Sequence, residues 1–376
     1  MVIPMKICLT ASLVFALVAA MVWAIPLCDY RSPHTDIINL GVSFSYRYYN
    51  DPYGFTDYDV DRGKLEIDYT RLFDSPEFGF DITGQGDITI SVLSLSSFAV
   101  SMEGDLKRYL DPETLLFGFA GVSADSLSSY DNIGLEVRAG LGYGRFVDVT
   151  PLAKAMKIGE YLLQRGSIFK ELDGLDLQAI AYELDSAEAY ESMADLLDVL
   201  QEIIEGTGFI REGVLDALDV YEIARIVEDE TYVRYCGGDI KLGIGYELLD
   251  PMDEATDLLG TVSFNYAFTT TPEAQFLVQG HASTLAGSFD ILQNNELAIT
   301  LGYDYLLADR LSVFSSYSYS SETRKGSKRV FQILATELVL TPLEDAKVAL
   351  GIRFEHKPEY LEWAADIDLS IAVDLL

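Results

Sequence analysis

The sequence is poor in the residues that carry most enzymatic and metal chemistry. It has three histidines, three cysteines and two tryptophans in 376 residues. Three histidines leave little material for a His-based hydrolase or a zinc site, which need several groups brought together. Basic residues are also scarce: 26 Lys and Arg stand against 60 Asp and Glu, a formal charge of −34. That balance excludes nucleic acid as a partner and excludes a basic patch for anionic lipid. Beyond the leader, no apolar run reaches the roughly 18 residues of a membrane-spanning helix.

The leader has the layout of a secretory signal: Lys6, an apolar run from Ile7 to Val22, and the small-x-small site Val22-Trp23-Ala24. The expectation is a signal peptide over 1–24 rather than a single-pass anchor, because a strand pattern follows it. Cys28 and Cys236 then remain in an exported chain, where an oxidising compartment permits a disulfide between them. Cys28 as a lipidated N-terminus fits less well, since Ile25-Pro26-Leu27 before it lacks small residues.

What the chain has in abundance is a period of two. Ile38, Leu40, Val42, Phe44, Tyr46 and Tyr48 alternate with Asn39, Gly41, Ser43, Ser45 and Arg47. Near the end, Trp363, Ala365, Ile367, Leu369 and Ile371 alternate with Asp366, Asp368 and Ser370. Successive strand side chains point to opposite faces, so each segment has one apolar and one polar face. Fourteen such segments are predicted, with a tolerance of 12 to 16. Six lie near 37–49, 64–72, 78–92, 96–109, 115–123 and 132–146. Eight lie near 232–248, 259–269, 274–283, 296–307, 311–321, 330–340, 347–356 and 361–375. The third segment has a hairpin about Gly84-Gln85-Gly86 as an alternative. Many exceed the usual length of soluble strands and suit a tilted bilayer crossing.

Connections alternate in character. Tight ones with turn chemistry sit at 74–77, 111–113, 271–273, 307–310 and 341–344, each after an even-numbered strand. Longer polar ones sit at 50–62, 124–131, 249–257, 287–295 and 321–329. The short 356–360 connection departs from the alternation. Bacterial outer-membrane barrels combine short periplasmic turns with longer outer loops. In its whole-chain pattern the sequence resembles bacterial outer-membrane β-barrel proteins as a general class, although it ends Asp374-Leu375-Leu376 rather than in an aromatic residue. The alternative is a soluble β-sandwich, whose alternation looks the same within one strand. The resemblance implies an antiparallel transmembrane barrel in the outer membrane. Outer-membrane lipid and the barrel assembly machinery are then its partners.

Residues 148–230 break the period and divide the barrel into parts at 25–147 and 231–376. Thr150-Pro151 reads as a helix start and Gly166 as a stop. Further helices are expected over 175–184, from a Ser186 cap to Gly206, and from about Glu212 with Val214, Leu218, Tyr221 and Ala224 on one stripe. Two placements follow: a self-packed periplasmic subdomain, or a plug in the barrel. The plug draws on glycines of the polar faces, namely Gly140, Gly142 and Gly144 with Gly243 and Gly245, because strand glycine often marks close backbone approach. Local bending of the wall is their other reading.

The polar faces assign Arg47, Glu136, Arg138, Asp239, Lys241, Glu247, Arg353 and Glu355 to the barrel interior. Asp57, Asp59 and Asp61 with Gly63 form a weak calcium candidate, with the glycine one position late for an EF-hand loop. His281 and Ser283 share one face of the ninth segment and are the only hint of a hydrolase. No cofactor is expected. The leading expectation is a porin-like channel passing small solutes. The alternatives are a non-conducting anchor whose insertion binds a periplasmic protein through 148–230, and an outer-membrane hydrolase.

Overall fold

A computed structural model describes residues 27–373, apart from 33, 50–59, 92–93, 112–113, 131, 212, 230–231, 251–257, 286–294, 309, 325–326, 344–345 and 359–362. The proposed signal peptide lies outside the described residues, as do Asp57 and Asp59. The backbone of Asp61 is in a strand, but its side chain is outside the description. Among the described residues no cluster suited to a metal ion is found.

Fourteen strands form one antiparallel sheet in simple sequence order. The first six are β1 (Thr35–Tyr49), β2 (Val60–Asp74), β3 (Phe78–Ser91), β4 (Ser94–Asp111), β5 (Leu116–Leu127) and β6 (Gly134–Asp148). After the helices come β7 (Tyr235–Leu249), β8 (Leu258–Thr271), β9 (Ala274–Leu285) and β10 (Asn295–Ala308). The last four are β11 (Leu311–Arg324), β12 (Ser327–Leu343), β13 (Ala346–His356) and β14 (Ala364–Val373). The third segment is thus one strand, not a hairpin. Among the described residues no ladder joins β14 to β1, so the structure shows a curled meander. The loop expected at 321–329 is largely strand: β11 and β12 run on until only residues 325 and 326 separate them. Likewise only 92 and 93 separate β3 from β4, so the alternation of connection lengths is not strict.

The apolar face of this sheet is bare. Leu40 is 67% exposed, Leu242 56% and Leu369 65%, and Val42, Phe44, Leu106, Leu141 and Ile367 are exposed with them. The opposite face holds the buried polar residues Asp74, Asp105, Lys107, Asp239 and Lys241. This inverts the usual arrangement of a soluble protein, where apolar side chains fill the interior.

Between β6 and β7 lie α1 (Thr150–Arg165), α2 (Gly174–Asp185), α3 (Met193–Gly206) and α4 (Ala217–Glu228). Leu152, Ile158, Leu162, Ile180, Leu196, Leu200, Ile204 and Ile223 bury against one another, joined by Leu27 and Tyr30 of the N-terminal segment. The stripe expected on the last helix is wrong. Leu218 and Tyr221 are exposed, as is Val214 before it, and α4 buries Ile223 and Ile226 instead. Ser186 closes α2 and leads into a 3-10 turn over Ala187–Ala189 rather than capping the helix that reaches Gly206. Ser192 caps α3, its Oγ accepting from the Asp195 N–H. Gly166 ends α1 with φ 83°, where a side chain would be strained.

Asp173 and Asp216 cap α2 and α4, each accepting two backbone N–H groups of the first turn. Those N–H groups are the first cause holding both carboxyls below the usual aspartate range. A depressed carboxyl stabilises the fold above its unfolded pKa, and that stability is lost as pH falls through the folded one. The helical melting temperature is therefore expected to drop as pH is lowered below about 4. The D173N/D216N variant, which still accepts the bonds without titrating, flattens the drop. An equal acid sensitivity of the two proteins by circular dichroism refutes the assignment.

Candidate functional site: a charged interior of the sheet

Lys107 on β4 places its Nζ 2.6 Å from Asp74 of β2 and 3.1 Å from Asp239 of β7. Adjacent strands are about 4.8 Å apart, so β4 and β7 lie roughly 14 Å apart in a flat sheet. A direct ion pair across that span requires the sheet to curl with its polar face inward. Lys241 on β7 makes the same point more strongly, reaching Asp81 of β3 and Asp105 of β4 at 2.6 Å each.

These pairs form two stacked layers. The lower layer, next to the tight turn after β2, comprises Lys107, Asp74 and Asp239, with the Tyr109 hydroxyl donating to Asp74 at 3.0 Å. Lys107 is 1% exposed and Asp74 0%. The upper layer comprises Lys241, Asp81 and Asp105, with Arg138 of β6 bonded to Asp105 at 2.8 Å and also to Glu103. Buried charge on this scale is tolerated only when paired. Here each lysine has two carboxylate partners. Above the upper layer, Glu136 and Glu247 face each other across β6 and β7.

The glycines serve this curl. An added Cβ at Gly142 runs into the Phe117 ring and, at 2.8 Å, the Ile240 carbonyl. At Gly140 and Gly243 it meets Phe119 at 2.8 Å, and at Gly245 it meets Glu136. At Gly144, whose φ is 113°, it meets the Asp239 Cα at 3.0 Å. All these neighbours are strand atoms. The expectation that Gly140, Gly142, Gly144, Gly243 and Gly245 pack against the helical insertion is therefore corrected. They admit inward aromatic rings and close strand approach where the wall bends.

The helices instead meet the sheet at its tight-turn end. The Tyr232 hydroxyl donates to the Pro272 carbonyl at 2.7 Å, and Arg234 donates to the same oxygen at 2.7 Å and to Asp304 at 2.8 Å. The Val149 N–H donates to the Arg234 carbonyl at 2.9 Å. Clefts of about 470 and 710 Å³ flank α1 at this junction, lined in part by Glu160, Gln164 and Glu273. Cys28 and Cys236 form a disulfide that ties the N-terminal segment to the start of β7.

Of the eight residues assigned to the interior from sequence, Arg138, Asp239 and Lys241 join the two layers. Glu136 and Glu247 lie just above. Arg353 and Glu355 stand apart on β13, 3.9 Å from each other. Arg47 pairs with Arg62 in the ladder, but its side chain is outside the description. His281 and Ser283 share the inward parity of β9, with no hydrogen bond between them. Lys107, Asp74 and Asp105 were missed. Lys107 has the inward parity of Asp105 on β4, and that parity was the signal that could have found both.

No family model matches the chain, and no curated protein matches it. Among solved structures, the CymD monoaromatic hydrocarbon channel is 10% identical with a TM-score of 0.30, over 90% of this chain and 85% of that one. A deltaS2S3 mutant of the TodX monoaromatic hydrocarbon channel is 9% identical with a TM-score of 0.23, over 93% and 83%. Likenesses this low do not bear on what this chain carries.

Proposed function

We propose that the chain is an outer-membrane β-barrel channel for small hydrophilic solutes, with β14 closing on β1 and the helical unit in the periplasm. One observation carries the reading: the sheet turns an exposed apolar face outward and a charged face inward. Only a lipid surround favours such an outer face, and only a closed sheet leaves no unpaired edge in hydrocarbon. The inner face of β8–β11 supports a hydrated path. It carries Ser263, Asn265, Gln279, Thr300 and Ser318, with the Thr300 and Ser318 hydroxyls 3.3 Å apart.

Refolded into a planar bilayer, the full chain is expected to conduct in discrete steps. Its reversal potential in a salt gradient is expected to show a mild cation preference, from the acidic excess that includes Glu103, Glu136 and Glu247. A folded, heat-modifiable protein that carries no current sinks the channel reading. Anion preference sinks the electrostatic part alone.

The second reading is the anchor that presents the helical unit to a periplasmic protein. It is favoured by the exposed Leu175, Tyr182, Leu218 and Tyr221 on helices where acidic side chains far outnumber basic ones. The outer-membrane hydrolase gains no support from the arrangement of His281 and Ser283.

A further inference from the structure

Contacts across the interior gather at the tight-turn end of the sheet. The Asp148 N–H at the end of β6 donates to Thr35 Oγ1 at the start of β1, at 2.9 Å. Five strand spacings separate β1 from β6, roughly 24 Å in a flat sheet. The first six strands are therefore drawn back on themselves at this end. Arg145 of β6 bridges the same gap, donating to the Ser32 carbonyl at 3.3 Å and to the Asp74 carbonyl at 3.4 Å. Immediately above lie Lys107, Asp74 and Asp239, all buried.

The closure continues from β7 to β10. The Tyr235 N–H, opening β7, donates to the Gln275 side chain of β9 at 2.5 Å, and Thr269 Oγ1 of β8 donates to the Tyr235 carbonyl at 2.7 Å. Arg234, just before β7, pairs with Asp304 of β10 at 2.8 Å, and Leu306 of β10 packs against the helical core. These contacts cover the tight-turn end from β1 to β10, and β11–β14 lie beyond the last of them. The inner faces there are built differently. One ladder row runs through Phe314, Glu337, Gly351 and Asp368. Glu337 and Asp368 are exposed and stand on either side of Gly351, two strand spacings or about 10 Å apart. Where β6 and β7 present inward glycines, Phe117, Phe119 and Glu136 fill the space; at Gly351 an added Cβ meets, among the described residues, Asp368 alone, at 3.9 Å. Arg353, two residues along β13, is opposite Asp366 and 3.9 Å from Glu355.

We infer that the periplasmic exit of the channel runs beside β11–β14, past Gly351, with Glu337 and Asp368 as its charge-selecting pair. This rests on the channel reading and gives the path along β8–β11 an end. Solutes leave at the side of the sheet away from the β1–β10 closure, not beneath the helical unit. Two carboxylates facing one passage favour cations over anions.

The test uses the full chain with its disulfide intact, in planar bilayers under a potassium chloride gradient. Cys28 and Cys236 are bonded to each other, so G351C supplies the thiol that a reagent meets. Labelling G351C with a cationic methanethiosulfonate is expected to lower unitary conductance by about half or more. E337Q/D368N is expected to move the reversal potential toward zero. E160Q/E171Q, in the cleft beside α1, is expected to leave it unchanged. A conducting wild type whose G351C form labels without loss of current, or does not label, overturns the exit and leaves the channel standing. An unchanged reversal potential in E337Q/D368N, or an equal shift in E160Q/E171Q, overturns the charge-selecting pair. Where E337Q/D368N does not fold, G351C still decides the exit. A silent wild type, with folding verified, overturns channel and exit together.

Discussion

Replacing Lys107 with methionine is expected to destabilise the protein by about 3–5 kcal/mol, the usual cost of removing one member of a buried ion pair. The side chain is 1% exposed and lies between Asp74 and Asp239. Methionine matches its length, so packing against the Phe117 ring, 5.5 Å from Nζ, is largely kept. What is lost is, among the described residues, the nearest cation to both carboxylates; Arg145, 4.0 Å from Asp74, remains as a weaker partner, and Asp74 at 0% exposure is out of reach of solvent. Tyr109 continues to donate to Asp74, which softens the loss without neutralising the charge. Converting both carboxylates as well, in K107M/D74N/D239N, is expected to recover most of the stability, since an uncharged replacement of a whole buried cluster is often close to neutral. Urea unfolding in detergent, followed by a tertiary signal, reads both variants. A K107M midpoint equal to wild type means that the charge is hydrated and the layer is not sealed.

Loss of the Cys28–Cys236 disulfide is the second large effect, expected to cost about 2–5 kcal/mol of stability for a bridge closing so long a loop. The two cysteines are 208 residues apart in sequence. The bridge holds a segment that completes the helical core: Leu27 is buried in it, the Tyr30 hydroxyl donates to the Ala181 carbonyl at 3.3 Å, and Ser32 Oγ donates to Asp185 at 3.0 Å. Without the bridge these contacts must hold the segment alone against its chain entropy. In C28S/C236S the helical melt is expected to fall and proteolysis within 148–230 to accelerate, while the strand signal is little changed. Oxidised protein is also expected to run differently from reduced protein on a denaturing gel. Identical melts for wild type and variant leave the bridge with no structural role.

Much of the fold was legible in the sequence because its signals are local. A strand shows its two faces in consecutive residues, so Ile38 to Tyr46 and Ile240 to Tyr246 declare both strand and orientation without reference to any neighbour. The tight turns and Gly166 are local in the same way. Legibility failed where the deciding contact lies far along the chain. The stripe of Val214, Leu218 and Tyr221 has helical spacing, yet α4 buries Ile223 and Ile226, because the position of α1 determines which face is covered. The inward glycines were visible as a row, but whether they face helices or rings depended on Phe117 and Phe119 of the neighbouring strand.

The charged interior divides along the same line. Sequence alone determined that one face of nearly every strand is polar, that the chain is strongly acidic, and that Arg138, Asp239 and Lys241 point to the same side as their neighbours of equal parity. Alternation can go no further, since it says which face a side chain joins and nothing of what stands opposite. Only the tertiary structure decided that β7 comes across to β3 and β4. Curvature is a property of the whole sheet, summed over small bends at glycines on several strands. It alone turned isolated polar positions into two stacked layers, with Lys107 sealed between Asp74 and Asp239 and Arg138 bonded to Asp105 and Glu103.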